Sequence, residues 1–188
     1  MSKTRIITIA GKPGSGKSTT SKLLATELGY KHFSSGDLFR SIAKERGIDV
    51  YETNVLAETE KDIDHQVDQL LQDMGKSEDE LVIDSRMAWH WMPDSFKVYL
   101  DLDVADAAER IIANSDPARL EAENIPKSAE EYAIQLQKRL DSEAKRYLSL
   151  YNANPYDLDN YDLVVDTKTY NTEEVLGWVL DEYKKWLD

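Results

Sequence analysis

A three-layer α/β fold, with a mainly parallel sheet of about five strands and helices on both faces, is what this sequence predicts. Three observations point to it. Short β-branched runs alternate with amphipathic helical stretches along the chain, the pattern of a parallel sheet with crossover helices. The first apolar run breaks into glycines at 11, 14 and 16 and continues as a helix. The 188 residues carry no repeats, low-complexity tracts or interdomain linkers, so a single domain, 1–188, is expected.

The densest signal is Arg5 to Leu28. Ile6, Ile7, Ile9 and Ala10 suit a strand buried on both faces. Residues 11–18, GKPGSGKS, then fit the pattern G-x-x-x-x-G-K-[ST] in full, and Thr19 follows. Glycines let such a backbone curl with its N–H groups inward, and the positive end of the following helix adds to the attraction for an anion. The loop formed by Gly11, Pro13, Gly14, Ser15, Gly16, Lys17, Ser18 and Thr19 is suited to the phosphates of a nucleoside triphosphate such as ATP. Lys17 would reach the β- and γ-phosphates, and the Ser18 hydroxyl would ligate Mg²⁺. A glycine-rich turn matching by chance is the competing account; the strand before and the helix after argue against it.

Leu23, Leu24 and Leu28 repeat at helical spacing up to a stop at Gly29. Residues 30–34, YKHFS, read as a second strand, and Ser34 with Asp37 starts a helix that ends at Gly47. Ser35, Gly36, Asp37 and Arg40 thereby fall at the carboxyl edge of the sheet, where open α/β sheets bind ligands. From Val50 to Met74 an apolar stripe continues, closed by Gly75 and the polar run KSEDE; Asp64 and Asp68 share one face, which an acidic solvent-facing side would also explain. Residues 36–75 read as a helical segment beside that edge, the expected binding side for a second ligand.

Leu81 to Asp84 is a third strand ending in a carboxylate, the position from which phosphate-loop proteins help to hold magnesium. Arg86 can reach across the cleft to a phosphate or make a structural ion pair. The run 87–92, MAWHWM, reads as a packed aromatic wall with His90 a passenger. Phe96 to Leu102 is a strand, and Asp103 an N-cap for the helix over 104–113. Residues 114–127 lack periodicity and contain two prolines, which marks a lid or hinge; the lid spans about 114–146.

Ser128 and Glu131 form a capping box for a long helix whose stripe is Tyr132, Leu136, Leu140, Tyr147 and Tyr151. Arg139 and Arg146, seven apart, lie on one face about 10 Å from each other along the axis. They can close over a transferring phosphoryl group or pair with Asp141 and Glu143 on the surface. Residues 161–166, YDLVVD, make the fifth strand, and Asn171 with Glu174 caps a terminal helix.

The formal charge of −13 disfavours nucleic acid and anionic membranes as partners. Cysteine is absent, and the first apolar run is too short for a signal peptide or a membrane span, so a cytoplasmic, monomeric enzyme acting on small molecules is the expectation. Against so acidic a background, Lys17, Arg40, Arg86, Arg139 and Arg146 converging would form a pocket for phosphorylated ligands.

Four stretches together resemble the nucleoside-monophosphate kinases, most closely the compact cytidylate kinases of archaea and some bacteria. They are GKPGSGKST (11–19), SSGDLFR (34–40), IDSR (83–86) followed by MAW, and R-x-x-S-E-x-x-R-Y from Arg139 to Tyr147. The resemblance implies phosphoryl transfer from ATP, with Mg²⁺, to CMP or dCMP. Arg40 and Arg86 would grip the acceptor phosphate, Arg139 and Arg146 would arrive with the lid, and Lys17 would follow the migrating charge. Asp84 and Ser18 would hold the metal, while Asp64 and Asp68 are candidates for reading the base. The family usually has glycine where Ser85 stands, and 114–127 is longer than in the compact members. Another small-molecule kinase of this architecture, or a nucleotide-binding switch, stays open, although no N-K-x-D guanine-reading element is present.

Overall fold

The computed structural model describes residues 4–47, 61–117, 120 and 123–188, and at 42–44, 46 and 61–64 the backbone alone. Its five strands are β1 (Ile6–Gly11), β2 (Lys31–Ser34), β3 (Leu81–Asp84), β4 (Phe96–Asp101) and β5 (Leu163–Asp166). They form one sheet in the order β2-β3-β1-β4-β5, and every pair is parallel. Described helices are α1 (Lys17–Leu28), α2 (Ser35–Arg46), α3 (Lys61–Ser77), α4 (Ala88–Trp91), α5 (Val104–Asn114), α6 (Ala129–Tyr151) and α7 (Thr172–Leu187).

Alternation along β1 explains the layers. Ile7 and Ile9 point to the face covered by α1 and α7, where Leu24, Ala25, Val175, Val179 and Tyr183 complete a core with Val82, Val98 and Leu100. Ile6 points to the opposite face, against Leu81, Ile83, Leu71 of α3 and Met92. A further cluster joins Ala107, Ala108 and Ile111 of α5 to Tyr132 and Leu136 of α6, and so fixes the long helix over the carboxyl edge of the sheet. Leu24 is fully buried, and truncating it to alanine would cost about 3 kcal/mol.

Register brings the chemistry to that edge. Asp84 lies opposite both Ile9 of β1 and Ser34 of β2, so the ends of three strands meet beside the glycine loop. Because the strand order reverses about β1, the loop after it faces a crevice.

The helix that Gly75 and the run KSEDE close in the sequence ends inside that run, at Ser77. Gly75 itself stays helical, and its lack of a side chain serves packing, since a Cβ there would sit 2.8 Å from Met92 Cγ. Asp103 takes the N-cap position of α5, but its carboxylate makes no capping bond. The start of the predicted helix at Val50 lies outside the described residues, as does part of the 114–127 stretch.

Candidate active site

The glycine loop is built for a close approach. Gly11 has φ +148° and a Cβ on it would stand 2.4 Å from the carbonyl oxygen of Leu100, so no side chain fits between the loop and β4. Gly16, at φ +88°, occupies the N-cap position of α1 and turns the chain into the helix. Ser15 is buried, and its hydroxyl has no hydrogen-bond partner among the described residues. Lys17 folds back to donate to the carbonyl of Lys12 at 2.9 Å; burial of its ammonium, partly countered by Asp84, lowers its pKa to about 8. The Ser18 hydroxyl donates to Asp84 Oδ2 at 2.6 Å, and Asp84 itself is buried.

A cavity of about 730 Å³ opens above the loop, and most of the predicted residues line it. Pro13, Gly14, Gly16, Lys17, Ser18 and Thr19 form one end. Ser35, Gly36, Arg40, Asp68, Asp84 and Arg86 form the other, and Arg139 and Arg146 of α6 complete the wall. Asp37 does not line the cavity; it pairs with Arg40 one helical turn on, while its backbone N–H donates to Ser34 Oγ at 3.3 Å. Gly11 and Ser15 belong to the loop but do not line the cavity. The backbone of Asp64 belongs to α3, and its side chain lies outside the described residues.

Asp68 is a buried carboxylate, 5% exposed, so it does not follow the solvent-facing reading. Trp91 Nε1 donates to one of its oxygens at 3.0 Å and the Tyr151 hydroxyl to the other. Burial raises its pKa and those two donors draw it back. The MAWHWM run is the aromatic wall behind this acid: His90 and Trp91 pack edge to face at 4.6 Å, and Trp91 meets Tyr151 at 5.0 Å.

Glu143 overturns the surface reading of the α6 acids. It is 3% exposed. Its Oε1 accepts from Arg139 Nε at 2.9 Å, and its Oε2 lies 3.1 Å from Arg86 Nε and accepts from the Tyr156 hydroxyl at 2.5 Å. Burial alone would raise this carboxyl; the two arginines and the hydrogen bonds outweigh it and hold the pKa down at about 2. Arg86 and Arg139 each make an ion pair with Glu143, and each lines the cavity. The Arg146 guanidinium carbon sits 5.1 Å from the Tyr147 ring centroid.

The sequence names Glu143 as a surface partner of the α6 arginines but does not show its burial or its contact with Arg86, and it does not mark Tyr156 or Arg110 at all. Arg110 lines the cavity from α5, donating to the Thr167 carbonyl at 2.9 Å and to the Gly14 carbonyl at 3.5 Å. No spacing marks it, because only the packing of α5 beside the loop brings it there. Glu143 stood within the R-x-x-S-E-x-x-R-Y stretch, four residues from Arg139, and that spacing was its signal.

A model of the "Cytidylate kinase-like family" matches residues 6–169. A protein of Haloarcula marismortui named cytidylate kinase is 39% identical over 178 residues, which cover 93% of this chain and 87% of that protein. One of the same name from Methanobrevibacter smithii is 32% identical over 95% of this chain and 98% of its own. The shikimate kinase of Bacteroides thetaiotaomicron aligns with a TM-score of 0.65 over 95% of this chain and 98% of its own, at 13% identity, a likeness of fold alone. With the family model spanning most of the chain and those relatives nearly all of it, the chain belongs to the cytidylate kinase-like family.

Proposed function

We propose that this protein transfers the γ-phosphoryl group of ATP to cytidine monophosphate or its deoxy form, giving the diphosphate and ADP. The observation that carries the reading is one cavity with a phosphate-binding loop at one end and Arg40 and Arg86 at the other. Two phosphorylated ligands meeting between them require cations on both sides of the migrating group, as Lys17, Arg86, Arg139 and Arg146 supply. The names of the relatives support cytosine as the acceptor's base.

The chemistry needs little from the protein beyond placement. At pH 7 the acceptor phosphate is already an anionic nucleophile; its oxygen forms the new bond to the γ-phosphorus as the bond to the ADP oxygen breaks. No general base is required. Lys17 would leave the Lys12 carbonyl for the β- and γ-phosphates, Arg40 and Arg86 would hold the acceptor phosphate, and Arg139 and Arg146 would cover the transfer from α6. Ser18 and Asp84, a hydroxyl and a carboxylate 2.6 Å apart, fit a hard divalent cation and would hold Mg²⁺. When bound, the metal neutralises charge on the β- and γ-oxygens.

Asp68 is the base reader in this scheme: a buried carboxylate in the cavity wall can accept from the exocyclic amine of cytosine, and Ser35 and Gly36 lie on the same side. Asp64 shares that helix. The segment 114–146 would act as lid. A monomer working on small molecules in the cytoplasm suits the net charge of −13, and among the described residues no helix is long and apolar enough to cross a membrane.

ADP release measured with CMP, dCMP, UMP, AMP, GMP and non-nucleotide acceptors, against an ATP-only control, tests the reading. CMP or dCMP should give the highest kcat/KM. Preference for another acceptor makes the protein a different small-molecule kinase; no acceptor above background makes it a nucleotide-binding switch.

A further inference from the structure

Glu143 has no part in the transfer as derived above, and its surroundings call for one. A carboxylate that is 3% exposed costs several kcal/mol to desolvate unless it is fully paired. Here the pairing is divided. Oε1 takes Arg139 and Oε2 takes Arg86, while Tyr156, from the segment after α6, donates to Oε2 and fixes the carboxylate from behind. Arg86, Arg139 and Glu143 all line the cavity that the glycine loop closes.

Two guanidinium groups that share one carboxylate carry like charge and repel each other, and the carboxylate between them offsets that repulsion. One follows β3 and the other rides on α6, so nothing in the backbone ties them together. Arg139 donates to Glu143 through Nε, and Arg86 brings its Nε to 3.1 Å from the other oxygen as an ion pair without hydrogen-bond geometry. The terminal pair of a guanidinium fork matches a phosphate.

We propose that Glu143 is a positioning residue for phosphoryl transfer: it holds Arg86 and Arg139 side by side in the cleft, one carboxylate oxygen to each, with Tyr156 setting its angle. The proposal rests on the kinase reading. It makes α6 more than a lid, since the helix brings both an arginine and the counter-ion that orients an arginine from the sheet.

Glu143→Gln keeps the shape and replaces one accepting oxygen by an amide NH₂, so one arginine loses its partner. The expected result is a kcat lower by about 10²-fold, as for a misplacement of the order of 1 Å, with the KM for ATP unchanged within about twofold. The decisive measurement is a double-mutant cycle with Arg139→Ala. Positioning through the arginines makes the loss from Glu143→Gln smaller in the Arg139→Ala background; losses that simply add overturn the proposal. An unchanged or higher kcat in Glu143→Gln overturns it too, the latter marking Glu143 as a competitor of the substrate phosphate. If circular dichroism shows Glu143→Gln unfolded, Tyr156→Phe enters the same cycle: it removes the bond that fixes Oε2 and keeps both ion pairs, and its expected loss of about 3- to 10-fold must again shrink beside Arg139→Ala. Wild-type protein without acceptor-dependent turnover fails the kinase reading; active wild-type protein with additive losses fails this proposal alone.

Discussion

The two ends of the cleft are made of different material. The proposed donor end is backbone, set against the side-chain end proposed for the acceptor: residues 11–18 are contiguous, and their fitness comes from what Gly11 lacks, a Cβ that would strike the Leu100 carbonyl at 2.4 Å. The acceptor end is side chain: Arg40 comes from α2, Arg86 from the turn after β3, Arg139 and Arg146 from α6, and each needs a counter-ion or an aromatic surface to hold its direction. A backbone site is specified by a short stretch of sequence and is intolerant of added atoms. A side-chain site is specified by packing and is sensitive to the loss of charges remote from the substrate.

The sharpest way to break the comparison is at a side chain on which the proposed donor end depends. Lys17→Ala should lower kcat/KM for ATP by about 10³-fold, since it removes the cation proposed to follow the transferring charge. Steady-state kinetics at saturating CMP measure it, and a loss below tenfold would mean that the backbone alone suffices. Arg40→Ala addresses the other end. The KM for CMP should rise by about 10- to 100-fold while the KM for ATP stays within about twofold, and a parallel rise of both would show that the two ends are not separate.

That division also sets what was legible in the sequence. The glycine loop, the strand–helix alternation and Asp84 at the end of β3 could be read locally, because each depends on residues adjacent in the chain. Arg40, Arg86, Arg139 and Arg146 could be named as cations, and only the register of β3 beside β1 and the packing of α6 on α5 bring them into one cavity. The packing role of Gly75 could not be read locally, because its partner, Met92, follows the next strand in the chain. Glu143 read as a surface acid for the same reason: a charged residue on an amphipathic helix faces water unless tertiary packing covers it, and here Arg86 and Tyr156 cover it.

Asp68 gives a smaller effect than either arginine. Asp68→Asn keeps the volume and exchanges an acceptor for a donor, so discrimination between CMP and UMP, as a ratio of kcat/KM, should fall by about tenfold. An unchanged ratio would leave Asp68 as a structural acid held by Trp91 and Tyr151.

A last effect, about 1 kcal/mol at pH 4, belongs to the dependence of the arginine end on paired charge. Glu143 titrates near 4.5 in the unfolded chain and at about 2 in the folded protein. A carboxylate depressed on folding contributes stability that is fully present above the unfolded value and is lost as the pH falls toward the folded one. The loss therefore begins near pH 5, amounts to about 1 kcal/mol at pH 4 and continues to about pH 2. Urea unfolding of the wild type and of Glu143→Gln at pH 7, 5, 4 and 3 isolates this group from the other carboxylates. The stability gap between the two proteins should be constant from pH 7 to 5 and narrow below, because the glutamine has no proton to gain. A gap that stays constant down to pH 3 would mean that Arg86 and Arg139 do not hold the carboxylate as their contacts imply, and the acceptor end would then owe its order to backbone after all.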